Sequence, residues 1–308
     1  VAPSTDLSIA LEGPGGEPVD LWRTFISHGV ASLPPMRVLE EYRAFEVTVA
    51  LRRGKPRTVL VSQGPRKTAR LTVSGRAPGA DTAKEIEQKV SHVLRLDEDL
   101  SFFYEIARTD PALGWATEGA GRMIRSATVF EEVIKTICTT NCAWSATKRM
   151  VHGIVEHLGE PATGAPKEGP WGRAFPSPEA MAAAGEPFYK NVARAGYRGP
   201  YFVAIATDVA SGKLDLELLA TDRELPDEDV EEQLLELPGV GPYAAAHIMM
   251  MIGRYSRLIL DSWSRPTYLR LAKKRSATDA AIEKKFRRYG KYAGLAFWLF
   301  ITKDWSED

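Results

Sequence analysis

The stretch LPGVGPYAAAHI at 237–248 sets two glycines around one valine, then a proline and a run of helix formers. Upstream, VEEQLLEL (230–237) has the spacing of an amphipathic helix and stops at Pro238. Downstream, Pro242 suits the first turn of a second helix, where its missing N–H is one that would lack a partner anyway. Gly239 and Gly241 permit a tight turn and let another backbone approach closely. The expected unit is helix, short hairpin, helix, with free amides at the positive end of the second helix. Such amides form an anion site, and a nucleic-acid phosphate is its natural occupant. Taken alone, Gly-Val-Gly is better explained as an ordinary turn between packed helices.

The spacing beyond the hairpin alters that balance. A helix from Pro242 to about Ile252 travels about 15 Å at 1.5 Å per residue, and Gly253 supplies a stop signal. The apolar run RLILD (257–261) can return that distance as extended chain, at about 3.3 Å per residue. Asp261 is therefore expected near the hairpin, as an acid at a pocket wall. It also suits N-cap duty ahead of SWSRPTYLRL, and both roles can hold together.

With 308 residues and 44% apolar content the chain can bury a large core in two or three domains. Forty basic against forty acidic side chains cancel, but unevenly: 215–236 is strongly acidic and 265–292 strongly basic. Such a split can present a basic face on a neutral protein, although a solvated helix face is the safer reading for most of these side chains. The two cysteines, Cys138 and Cys142, lie four apart on one helix turn and exclude a disulfide framework or a four-cysteine cluster within this chain. No signal-like N-terminus and no run of eighteen apolar residues occurs, so a soluble intracellular protein is expected.

The fold class expected is α+β. EVTVALRR (46–53), RTVLVSQ (57–63) and TARLTVSG (68–75) are Val/Thr-rich, partly alternating and punctuated by glycine, as in an antiparallel sheet with one covered face. ADTAKEIEQKVSHVLRLDED (80–99) switches to a helical period with Ile86, Val90, Val93 and Leu94 on one stripe. The chain is mostly helical after that. The division expected is 1–100 as sheet domain with its flanking helix and 101–308 as a two-lobed helical body, to whose last lobe the N-terminal part can contribute. Residues 1–45 suggest no chemistry.

At this point LPGVGPYAA followed by Asp261 resembles the signature of the helix-hairpin-helix superfamily of DNA glycosylases, the base-excision repair enzymes. Weaker similarities run over roughly 100–303. FFYEIARTDPAL and RMIRSATVFEEVIKTICTTN resemble the approach to the family's DNA-probing loop. FPSPEAMAA and ARAGYRGPYFVAIATDVASG, with YAGLAFWLFITKDW, are similar to central and last helices of the 8-oxoguanine glycosylase and alkyladenine glycosylase II branches. The resemblance implies that Gly239, Val240 and Gly241 form the DNA-phosphate turn, with amides from both glycines. It implies that the carbonyls of Leu235, Leu237 and Val240 hold a K⁺ or Na⁺ ion, and that Asp261 is the catalytic carboxylate. Asn141 matches the residue that fills the gap left by an extruded nucleotide; a plain turn role is the alternative. Arg198 matches an arginine that probes the opposite strand; a surface ion pair is the alternative.

Tyr243 stands where bifunctional members carry a lysine that attacks the sugar carbon and forms a Schiff base. A phenol forms no imine, so water is the expected nucleophile, with no lyase step. The base pocket expected comprises Tyr243, Trp298, His247 and Phe297, although helix packing is the preferred role for Phe297 and Phe300 and the alternative for Trp298, and a satisfied core histidine is an equal alternative for His247. Phe297 replaces the glutamine that binds the base in 8-oxoguanine glycosylase, and Ala146 replaces an arginine that reads the opposite cytosine. Trp263 stands at a position where many members carry histidine. No cofactor is required on this reading, and no iron–sulfur cluster.

The partner implied is double-stranded DNA with a damaged base, and a monomer is expected. The location implied is the cytoplasm, at the nucleoid, for a bacterial chain and the nucleus for a eukaryotic one. Three readings stay open: a monofunctional glycosylase for alkylated purines, the same scaffold acting on oxidised or deaminated bases, and a helix-hairpin-helix module that binds damaged DNA without catalysis.

Overall fold

The computed structural model describes residues 3–306. Five strands build one antiparallel sheet: β1 (Ser4–Ala10), β2 (Met36–Leu39), β3 (Ala44–Val49), β4 (Arg57–Gln63) and β5 (Thr68–Ser74), in the order β1-β5-β4-β3-β2. Its register makes a continuous apolar row: Val47 pairs with Val59, and Val59 with Val73, all three buried. Side chains on one pleated face repeat every second residue, so one helix can cover the row. Helix α1 (Leu21–Phe25) stacks Phe25 on Phe45 with ring centroids 5.3 Å apart. Helix α2 (Ala80–Val93) buries Ile86, Val90 and Val93, the stripe anticipated from its period.

The helical body comprises α3 (Ser101–Arg108), α4 (Val129–Thr139), α5 (Trp144–Leu158), α6 (Pro178–Asn191), α7 (Gly199–Ala210) and α8 (Leu218–Thr221). It continues with α9 (Asp227–Leu235), α10 (Pro242–Met251), α11 (Ser264–Leu271), α12 (Asp279–Phe286) and α13 (Ala293–Thr302). One core joins the sheet to residues of α4–α7, α9 and α10; a second joins α3 to α11–α13. The expectation of a sheet beside a two-lobed helical body is met.

Helix α10 is the member common to both cores. Every side chain from Ala244 to Met251 is buried, Met250 in the second core and Ile248, Met249 and Met251 in the first. Its C-terminus closes through a paired turn: Gly253 N–H donates to the Met250 carbonyl and Arg254 N–H to the Met249 carbonyl. Gly253 sits at φ +87°, the left-handed conformation this closure requires. The buried Arg95 guanidinium donates to the carbonyls of Met251 and Met123 and pairs with Glu98, placing a cation at the negative helix end. No helix of the described residues is long and apolar enough to cross a membrane.

Candidate active site

The turn between α9 and α10 is built as its sequence demands. Gly239 adopts φ +86°, and a Cβ on it would lie 2.6 Å from the Tyr201 ring. Gly241 differs: its backbone is extended (φ −109°, ψ −176°), it caps α10, and a Cβ there would meet nothing. The fold needs a glycine at 239, whereas at 241 the absent side chain leaves open space in front of the helix. Val240 N–H donates to the Leu237 carbonyl at 3.1 Å, while neither glycine N–H donates to a described backbone carbonyl. Those two amides are free for an outside acceptor.

The chain returns from α10 as irregular extended backbone against α13. Gly294 N–H donates to the Tyr255 carbonyl at 2.6 Å, and a Cβ on Gly294 would lie 2.1 Å from the Arg257 carbonyl oxygen. This close pass delivers Asp261 to the start of α11. Its Oδ1 accepts from the N–H groups of Trp263 (2.9 Å) and Ser264 (2.6 Å), and Ser264 Oγ accepts from the Asp261 N–H at 2.8 Å. The N-cap role and the pocket role coincide, because Oδ2 has no hydrogen-bond partner among the described residues and Asp261 lines the same cleft as Gly239 and Gly241.

That cleft, about 1070 Å³, opens between the sheet domain, the α4–α5 loop, the hairpin and α13. Its aromatic wall is a contiguous cluster. Trp298 lies 5.8 Å from Trp263, 5.9 Å from Trp305 and 5.0 Å from His28, ring centre to ring centre. Trp298 Nε1–H donates to the Ser27 carbonyl at 2.9 Å, so its ring is fixed. His28 meets His247 edge-on at 4.7 Å, and His247 lies 5.8 Å from Tyr243.

Burial keeps these polar rings uncharged. Desolvation and the neighbouring His247 hold His28 well below the usual histidine range. Desolvation brings His247 down to about 4, against the opposing pull of Asp261. Burial likewise raises the Tyr243 phenol, with Thr139 lowering it and the Asp261 charge raising it further.

Hairpin amides, a free carboxylate oxygen and an aromatic wall thus face one cleft, in the chain order anticipated. No family model matches the chain. A probable N-glycosylase/DNA lyase of Methanothermobacter thermautotrophicus is 25% identical over 68% of this chain and 72% of that protein. The structure of a 3-methyladenine DNA-glycosylase from Archaeoglobus fulgidus superposes with a TM-score of 0.74 at 19% identity, covering 97% of this chain and 98% of that one. A Clostridium acetobutylicum 8-oxoguanine glycosylase/lyase, solved with DNA containing cytosine opposite 8-oxoguanine, superposes with a TM-score of 0.72 at 20% identity, covering 100% and 99%. The chain shares its fold with these DNA glycosylases of the helix-hairpin-helix type.

Within that glycosylase framework two expected site residues lie elsewhere. Arg198 is not available to probe a DNA strand. It is 6% exposed; its guanidinium donates to the carbonyls of Ile137, Thr140 and Ala195 and lies over the Tyr197 ring. Three carbonyl acceptors outweigh solvation here, and Arg198 clamps the end of α4 beneath the loop that carries Asn141. Phe297 does not reach the cleft either. The period of α13 turns it into the second core, against Phe286 and Tyr268 at 5.3 and 6.2 Å, while Trp298, the next residue, reaches the cleft. Asn141 is exposed on the cleft rim at φ +48°, a left-handed conformation that asparagine tolerates. Trp263, at the histidine position of many members, extends the aromatic wall.

Several lining residues escaped the sequence reading: His28, Trp144, Tyr197, Trp305, Glu132 and Thr136. Trp144 and Tyr197 are large exposed aromatics on the rim. Trp144 also spans to the sheet domain, within 3.5 Å of where a Cβ on Gly29 would stand. The available signals were an aromatic residue directly after TTNCA, and charged residues inside the otherwise apolar FEEVIKTIC. Of the basic segment, Arg265 lines the cleft, while Arg288 pairs with Asp110 and Arg270 with Asp304.

Proposed function

We propose that this protein is a monofunctional DNA glycosylase that releases a damaged purine, of the alkylated type, by hydrolysis. The observation carrying this reading is the convergence of two free hairpin amides and the free Asp261 oxygen on a cleft walled by Trp298, Trp263, Trp305 and two uncharged histidines. A nucleotide turned out of the duplex brings its base to the wall and its phosphate to the hairpin. Breaking the glycosidic bond leaves positive charge on the sugar. Asp261 stabilises that charge and orients or deprotonates the attacking water. A base that already carries alkyl-derived positive charge leaves without a general acid and is held by the indole faces through cation–π attraction. Tyr243, protonated and without an amine, supplies no imine chemistry.

A monovalent cation fits the hairpin. The carbonyls of Leu235 and Val240 accept no described backbone N–H of the turn, and that of Leu237 accepts one. These three oxygens would hold K⁺ or Na⁺, which would add positive charge for the phosphate.

The test is base release from duplexes carrying 7-methylguanine, 3-methyladenine, hypoxanthine or 8-oxoguanine, with borohydride present in parallel. Release of the methylated purines without a trapped protein–DNA adduct is expected; a trapped adduct overturns the water nucleophile, and release confined to 8-oxoguanine or hypoxanthine overturns the alkylated class. The two glycines give a separate check. Gly239→Ala forces a side chain into the left-handed region and against Tyr201, and is expected to lower stability by about 1–2 kcal/mol, read as a drop in Tm. Gly241→Asp meets no obstacle and can cap α10 itself, so Tm is expected to hold or rise. Its carboxylate occupies the anion site and repels phosphate, and duplex affinity should fall on the order of tenfold or more. Unchanged affinity in Gly241→Asp would remove the hairpin from the DNA interface.

A further inference from the structure

Three residues that line the cleft each carry a buried polar atom with no hydrogen-bond partner among the described residues: Glu132 Oε1, Thr136 Oγ1 and His247 Nδ1. The residues are buried, with 2, 1 and 7% of their surface exposed. Glu132 and Thr136 are one turn apart and share a face of α4, and α4 packs against α10, which carries His247. Buried polar atoms are nearly always paired, so three unpaired ones around a single cavity call for a ligand with complementary groups.

The state of Glu132 narrows that ligand. Its Oε2 accepts the Ser126 N–H at 3.2 Å. Lys135, the adjacent cation, is committed to Glu131 at 2.6 Å. Burial favours the protonated carboxyl and raises its pKa, against the pull of Lys135 and of the Ser126 contacts. With Oε2 serving as the acceptor for Ser126, the proton resides on Oε1, the atom left free. A hydroxyl such as that of Thr136, and a neutral imidazole such as that of His247, can each donate or accept, and a protonated Glu132 presents Oε1–H as a donor.

We propose that Glu132, Thr136 and His247 read the hydrogen-bonding edge of the turned-out base, with Glu132 donating to an acceptor on it, a carbonyl oxygen or an unsubstituted ring nitrogen. This deepens the base-release reading and rests on it. The aromatic wall grips any flat base, whereas these three groups distinguish one purine edge from another. A base presenting a donor opposite Glu132 meets another donor, which leaves both groups unpaired in a dry site.

Two substitutions separate this role from a structural one. In Glu132→Gln the amide oxygen keeps the Ser126 contact and the amide N–H₂ takes the place of Oε1–H, so recognition is retained. Glu132→Met fills similar volume with no donor. Both are made in an Asp261→Asn background, and the readout is the affinity for 7-methylguanine and hypoxanthine duplexes relative to a duplex with a stable abasic-site analogue. For whichever base the parent prefers over the abasic analogue, the Met variant should lose that preference by on the order of tenfold while the Gln variant stays within about threefold of the parent. Affinity for the abasic duplex should be unchanged in both. Equal behaviour of Gln and Met, a parallel fall in abasic-duplex affinity, or no base preference in the parent overturns the assignment. If the unsubstituted protein releases no base, yet the Gln–Met contrast appears, the catalytic reading fails and this one stands. Release by the unsubstituted protein with no Gln–Met contrast overturns the role of Glu132 and leaves the catalytic reading in place.

Discussion

Asp261→Asn is expected to slow base release by a factor of about 10²–10⁴ while duplex affinity stays within a few fold of the parent. The substitution is well matched to the question. The amide oxygen can still accept the Trp263 and Ser264 N–H groups that Oδ1 accepts now, so the start of α11 is preserved. What disappears is the negative charge on the oxygen facing the cleft. An oxocarbenium-like sugar loses its electrostatic partner and the water loses its base. Single-turnover release from a methylated-purine duplex, alongside equilibrium binding to the abasic analogue, measures both halves. Release within tenfold of the parent would falsify Asp261 as the catalytic group. Loss of binding together with release would assign it to assembly of the cleft.

Phe297→Ala is expected to cost about 3–5 kcal/mol of stability, the range for removing a fully buried aromatic ring. The ring is wholly enclosed by Phe286 and Tyr268. The single-turnover release rate per folded molecule should hold within about threefold, because Trp298 is fixed independently through Ser27. Denaturant unfolding reads the first quantity, and release corrected for the active fraction reads the second. A selective loss of release with unchanged stability would return Phe297 to the base pocket and contradict its packing.

The hairpin, its glycines and the return to Asp261 were legible because they are local chemistry. Proline at a helix start, glycine at a left-handed turn and a residue count that closes a loop need no knowledge of distant contacts. The three central strands were legible for the same reason, since alternation of valine and threonine with polar residues is a period-2 signal. Strand β2 was not: four residues, MRVL, give too short a pattern. Strand β1 pairs along one edge and alternates between half-buried and exposed positions, so its sequence, STDLSIA, is largely polar.

Helix α4 hid its lining residues for another reason. Glu131, Glu132 and Lys135 look like a solvated stripe, yet every residue from Val129 to Cys138 is buried. Periodicity reports which residues share a face and is silent on what covers that face. His28 belongs to the same class of omission, because its partners His247 and Trp298 lie more than two hundred positions away. Arg198 illustrates the converse. The resemblance of GYRGPY implied a role outward, and three carbonyl groups supplied by the fold drew it inward.

The shared beam α10 carries a mechanical consequence. Because its side chains are locked into both hydrophobic masses and its far end is fastened by Arg95 and the Gly253 turn, the two lobes have no free joint along this axis. The mouth between them is therefore a preset shape, and a duplex bound there is expected to be the partner that bends. Unstacked, mispaired or intrinsically pliant steps yield at lower energy than stiff ones. Damage set in such surroundings should be admitted sooner than the identical lesion in a rigid tract.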